Sequence, residues 1–69
     1  MAELTLTING DTRSVPGPAT LADLLSHLDL DARTVVVEHN RAIVRRPHLE
    51  ATPVANGDQV EIVHFVGGG

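Results

Sequence analysis

Polar and apolar residues alternate without a break through Glu3-Leu4-Thr5-Leu6-Thr7-Ile8, the period of a half-buried strand. Asn9-Gly10 follows at once. Both residues tolerate positive φ, and the pair is a strong hairpin signal. Thr12 to Val15 then reads as the returning strand, ended by Pro16-Gly17-Pro18. From Thr20 the period changes. Leu21, Leu24, Leu25 and Leu28 recur at the spacing of a single apolar helical stripe. The Thr20 hydroxyl can accept a hydrogen bond from an unpaired backbone N–H, and Asp23 complements the positive end of the helix. So short a helix is marginal alone, so its leucines must dock on a sheet.

Thr34-Val35-Val36-Val37-Glu38 is β-branched and strand-like. Asn40-Arg41 predicts a turn, and Ala42-Ile43-Val44 a short strand broken by Arg45-Arg46-Pro47. His48 to Val54, with prolines nearby, reads as an irregular connection with room for one helical turn. Asn56-Gly57-Asp58 is a second turn. Gln59 to Val66 is the last strand, and Gly67-Gly68-Gly69 follows it. The order β-β-α-β-β-β, one helix on a mixed sheet of four or five strands, is an α+β layer solution. The first and last strands are the most regular, which predicts parallel central neighbours joined by a right-handed crossover. That arrangement is the β-grasp, or ubiquitin-like, fold. The expected domain is residues 1–66, with 67–69 as a flexible tail.

Side chains on the last strand must alternate, so Val60 and Ile62 share one face and Glu61, Val63 and Phe65 the other. Glu61 marks its face as the solvent side. Val60 and Ile62 are then expected beneath the leucine stripe. Val63 and Phe65, with Val66, become candidate docking residues beside the tail, because a lone exposed aromatic often anchors an interface.

Composition narrows the chemistry. The chain has 69 residues and no cysteine, so one small core must hold without disulfide or thiolate staples. Phe65 is the sole aromatic residue, which leaves the core to Leu, Ile, Val and Ala. Nine acidic residues stand against five arginines and no lysine, a formal charge of −4. The basic footprint of a nucleic-acid binder is missing. No apolar run approaches a membrane span, and no basic-then-apolar leader opens the chain. The expectation is a cytoplasmic domain, monomeric when free, with neither nucleic-acid nor membrane partners.

Catalytic signatures are equally scarce. No glycine-rich phosphate loop ending in lysine occurs, and no G-x-S-x-G elbow surrounds Ser14 or Ser26. His27, His39, His48 and His64 lack metal-ligand spacing and read as surface residues, and Arg45-Arg46 with His48 reads as a solvated turn. The chain is not expected to be an enzyme. The glycine tail is different. Glycine lacks Cβ, so Gly67-Gly68-Gly69 is as thin as a peptide can be. It can thread a narrow channel and present the Gly69 carboxylate, whose carbonyl is unhindered toward nucleophiles. A frayed end is the bland alternative.

Ile8-Asn9-Gly10, Thr20-Leu21-Ala22-Asp23-Leu24-Leu25, Asn56-Gly57-Asp58 and the run from Val60 to Gly69 together resemble the ThiS family, the ubiquitin-like sulfur carriers of thiamine biosynthesis. The resemblance spans essentially the whole chain, and the last strand with its glycine end is its most specific part. It implies that the reactive centre is Gly69. An E1-like adenylyltransferase would adenylate the carboxylate with its own ATP and magnesium, the carrier binding no cofactor itself. A sulfur donor, through a persulfide, would convert the acyl-adenylate to a thiocarboxylate. Thiazole synthase would then take the sulfur. A carrier without cysteine can hold sulfur only on such a carbonyl carbon. The small subunit of molybdopterin synthase is also similar, but it tends to be longer and to carry prolines before its double glycine. A ubiquitin-type modifier and a β-grasp binding module with an inert tail are the remaining alternatives.

Overall fold

The computed structural model describes residues 3–65. Strands β1 (Glu3–Ile8), β2 (Asp11–Pro16), β3 (Val35–His39), β4 (Ala42–Val44) and β5 (Gln59–His64) form one sheet with the helix α1 (Leu21–His27). The sheet order is β2-β1-β5-β3-β4. β1 pairs with β2 antiparallel and with β5 parallel, through Thr7 opposite Gln59 and Ile8 opposite Val60. β3 pairs antiparallel with both β5 and β4. This is the β-grasp arrangement, with β1 and β5 as inner parallel neighbours, as their regular alternation predicts.

Local chemistry sets the elements. At the first hairpin Asn9 and Gly10 both take positive φ, 51° and 84°, the geometry that keeps a two-residue loop in step with strand twist. Asn40 and Arg41 do the same between β3 and β4, at 51° and 73°. The helix opens with a reciprocal capping box. Thr20 Oγ1 accepts from the Asp23 N–H, and Asp23 Oδ2 accepts from the Thr20 N–H, each at 3.2 Å. It closes without glycine. Asp29 stands in the left-handed region at φ 63°, and Leu30 N–H reaches back to the Leu25 carbonyl at 2.9 Å, a Schellman-type end.

Several expected boundaries move. β2 gains Asp11 and Pro16, the proline tolerated because β2 is an edge strand. β3 begins at Val35 and reaches His39, because Thr34 closes a 3₁₀ turn over Ala32–Thr34 capped by Asp31. The irregular connection contains a 3₁₀ segment over Arg46–Ala51, which buries Leu49. β5 ends at His64, and Val66, expected to finish it, lies outside the described residues. Leu28 falls at the helix C-cap and is only partly buried.

The core lies between α1 and one face of the sheet. Leu21, Leu24 and Leu25 of the helix meet Leu6, Ile8, Val37, Val60 and Ile62 of the strands, with Val15, Val35, Leu49 and Val54 completing the cluster. No buried polar side chain occurs in it among the described residues. The same residues include no helix long and apolar enough to cross a membrane.

Candidate functional site

The outer face of the sheet, opposite α1, is where the strand leading to the glycines meets solvent. On β5, Val60 and Ile62 are 1% and 7% exposed, whereas Val63 and Phe65 are 61% and 62% exposed. The expected facing of this strand therefore holds. Phe65 is fixed just beyond the strand by its N–H, which donates to the Thr34 carbonyl at 2.9 Å. Val36 lies directly opposite Val63 across the β3–β5 ladder. Ile43 of β4, 62% exposed, lies opposite Glu38 in the next row. Val36, Ile43 and Phe65, with Arg45 and Arg46 after β4, line a shallow groove of about 160 Å³.

The other half of the same face differs. β1 and β2 present Glu3, Thr5, Thr7, Thr12 and Ser14, with Ser14 Oγ donating to Glu3 at 2.7 Å. The apolar surface is thus confined to the β5-β3-β4 side. Sequence reading placed Val63 and Phe65 in it but missed Val36 and Ile43. Their alternation with the buried Val35 and Val37 and the half-buried Val44 was visible, but Val36 meets Val63 only across the β3–β5 ladder. Val66, Gly67, Gly68 and Gly69 lie outside the described residues, so the structure brings together only Val63 and Phe65 of the expected site.

Two polar devices hold this strand. Asn9 spans the end of the parallel ladder, its Oδ1 accepting from the Ile62 N–H at 2.7 Å and its Nδ2 donating to the Ile62 carbonyl at 3.1 Å. A turn former thereby also supplies the pairing that the backbone of β1 has stopped providing. At the other end, Asp58 Oδ2 accepts from His39 Nε2 at 2.7 Å and from the Ala55 N–H at 2.8 Å, and Oδ1 accepts from Asn40 Nδ2 at 3.3 Å. Partial burial pushes the Asp58 carboxyl upward, but the hydrogen bonds from Ala55, His39 and Asn40 outweigh it and hold the group below its ordinary value.

His39 therefore departs from the surface reading. It is largely shielded and paired with a carboxylate, a partnership hidden by nineteen residues of separation. His27, His48 and His64 are exposed. His27 and His64 share a wider depression of about 370 Å³ at the helix C-terminus with Asn9, Arg13 and Asp29. No group of three or more metal-ligating side chains occurs among the described residues. Arg45 and Arg46 are exposed. Arg33, also on the rim, is bound to Asp31 at 2.9 Å. The Asp31 carboxyl is pushed down to about 2, mainly by its side-chain hydrogen bond from Arg33.

The ThiS family model matches residues 6–69. The sulfur carrier protein ThiS of Bacillus subtilis is 37% identical over 93% of this chain and 98% of its own length. The chain belongs to the ThiS family. The crystal structure of the thiamine biosynthesis protein ThiS from Geobacter metallireducens superposes with a TM-score of 0.82 at 39% identity, covering 96% of this chain and all of that one. A thiazole synthase of Paramagnetospirillum magneticum is 42% identical over 93% of this chain, which spans only 20% of that protein's length. The ThiS match reaches through the glycine run, so it includes the segment that the last strand feeds.

Proposed function

We propose that this chain is a sulfur carrier protein serving thiazole formation in thiamine biosynthesis, with the Gly69 carboxylate as its reactive group. The observation that carries the reading is the ThiS match over residues 6–69, in which the glycine run follows a central strand whose outer face ends in the exposed apolar residues Val63 and Phe65. Residues 67–69 form the tail, separate from the folded domain, and enter a channel that admits backbone only.

A carboxylate is a poor acyl donor. On an E1-like adenylyltransferase, with magnesium held by that enzyme, a carboxylate oxygen attacks the α-phosphate of ATP, releasing pyrophosphate and making AMP the leaving group on the carbonyl carbon. The outer sulfur of a persulfide donor then displaces AMP at the carbonyl carbon to give an acyl disulfide. A second thiol cleaves it, becoming oxidised to a disulfide with the donor's sulfur and releasing the thiocarboxylate at Gly69. Thiazole synthase is the acceptor, a partnership supported by the thiazole synthase in which a similar segment forms about a fifth of the chain. The carrier contributes presentation. Val63, Phe65 and Val66 dock on the enzyme, Gly67 and Gly68 pass through the channel, and Gly69 reaches the nucleotide.

The tail is tested by ATP–pyrophosphate exchange with the purified adenylyltransferase. Adding one residue after Gly69, or replacing Gly68 by Val, should leave the melting temperature unchanged. Exchange should fall by about 100-fold, the cost of misplacing a reacting group by about 1 Å. Undiminished exchange in both variants would sink the proposal that Gly69 is the activated residue.

A further inference from the structure

Two hairpin turns carry an asparagine at φ 51°, Asn9 between β1 and β2 and Asn40 between β3 and β4. Both spend their side chains on β5. Asn40 works at its start, where Oδ1 accepts from the Gln59 N–H at 2.9 Å. Asn9 works near its end, on Ile62. Glycine would serve these backbone angles as well, so the turns do not by themselves call for a carboxamide.

The Asn9 contact has the form of a missing ladder step. Between the parallel strands, the Thr7 and Asn9 N–H groups donate to the Asp58 and Val60 carbonyls, each at 3.0 Å. One step further, the carbonyl of residue 9 would accept from the Ile62 N–H, and the N–H of residue 11 would donate to the Ile62 carbonyl. The chain has turned away by then, and Asp11, in β2, pairs with Ile8. The Asn9 side chain stands in for both groups, Oδ1 for the carbonyl and Nδ2 for the N–H. Asparagine supplies an acceptor and a donor in one plane, ionised aspartate supplies acceptors only, and glycine neither. Past Ile62 this flank of β5 borders an open depression lined by Arg13, His27 and His64. On the other flank, pairing with β3 runs on to His64, and the Phe65 N–H still reaches Thr34. β5 is therefore held from both sides only as far as Asn9 reaches.

We propose that Asn9 is a positioning residue for activation of the tail, its carboxamide setting the direction in which β5 delivers the chain toward Gly69. The inference rests on the sulfur-carrier reading. Three residues, about 10 Å of strand, lead from Ile62 to Phe65. A tilt of about 6° at Ile62 shifts Phe65 by about 1 Å, and misplacing a reacting group by about 1 Å can cost about 100-fold. Without the carboxamide, β3 is the one rail on which the end of β5 rests. Asn9 does not line the apolar groove, so its loss belongs to turnover and not to binding.

Amide hydrogen exchange and ATP–pyrophosphate exchange on the host's adenylyltransferase test this with the full chain. Asn9→Gly keeps the turn and removes the carboxamide, and Asn9→Asp keeps the shape but, ionised, cannot donate to Ile62. In Asn9→Gly the Ile62 N–H should exchange about 10-fold faster than in the wild type. Both variants should melt about 4–8 °C lower. Well below every melting temperature, the exchange rate at saturating carrier should fall by about 10-fold in both, while the half-saturating carrier concentration moves by less than about 2-fold. Thr20→Ala removes the cap of α1 and should melt lower by a similar amount, yet it should be adenylated at the wild-type rate. An equal loss of rate in Thr20→Ala would make the effect one of stability and overturn the proposal. Wild-type turnover in both Asn9 variants, or a loss confined to the half-saturating concentration, would overturn it as well, and in each of these cases the carrier reading stands. A wild type that is not adenylated would remove the carrier reading itself, and the role of Asn9 with it.

Discussion

Ile62 and Phe65 stand three residues apart and are comparably apolar, yet one is 7% exposed and the other 62%. Complete burial of such a side chain contributes about 1.5–3 kcal/mol. The inner face of β5 gains this from Val60 and Ile62 against the helix leucines. The outer face forgoes most of it at Val63 and Phe65. In a domain of this size, with a stability on the order of 5 kcal/mol, such surface is a sizeable loss. The contrast separates residues that hold the domain together from residues held ready for something outside it. Scattered surface hydrophobes need no explanation. Three of them, Ile43, Val63 and Phe65, grouped around the half-buried Val36 and absent from the β1–β2 half of the same face, do.

The comparison breaks most readily at Ile62. Ile62→Asp places an unpaired charge against the leucines of α1, at a cost above about 4 kcal/mol. The variant should lack a cooperative melting transition in circular dichroism. Phe65→Asp should keep the wild-type melting temperature and lose about 2 kcal/mol or more of affinity for the adenylyltransferase. If instead Phe65→Asp unfolds and Ile62→Asp melts normally, the two faces have been assigned the wrong way round.

A smaller effect is expected at the polar entrance to β5. Asp58→Asn weakens the hydrogen bonds from Ala55, His39 and Asn40 and should cost about 1–2 kcal/mol at neutral pH. Its pH dependence follows from the depressed folded-state value. The stabilisation is fully present above the unfolded carboxyl value near 4 and is lost as pH falls toward the lower folded value. Melting curves of wild type and Asp58→Asn should therefore converge below about pH 4. A constant gap down to strong acid would show that the carboxylate charge is irrelevant to the clasp.

Much of this was readable before any coordinates. Asn9-Gly10 and Asn40-Arg41 announce turns, the Thr20–Asp23 pair announces a helix start, and alternation in β5 assigns its two faces. What stayed hidden was relational. Val36 joins the patch through its register with Val63, on a strand distant in the chain, and the β3–β4 hairpin brings Ile43 alongside. His39 finds Asp58 only because the β3–β4 turn packs beside the start of β5, where Asn40 Oδ1 accepts from the Gln59 N–H. The helix end was unmarked because Asp29 takes the positive φ usually left to glycine. The 3₁₀ turn at Ala32–Thr34 is too short to impose a period. Of the candidate site, sequence pattern supplied Val63 and Phe65, and the structure added their neighbours Val36 and Ile43; the glycines lie outside the described residues.

The central claim is that sulfur travels on the carbonyl carbon of Gly69. Intact-mass spectrometry of the protein isolated from thiamine-starved host cells tests it most directly. The account predicts a species heavier by the difference between a sulfur and an oxygen atom, with fragmentation placing the exchange at Gly69. That species should be absent from the Gly68→Val variant. Only the unexchanged mass in wild-type protein from cells that are making thiamine, or an exchange mapped to any other residue, would contradict it.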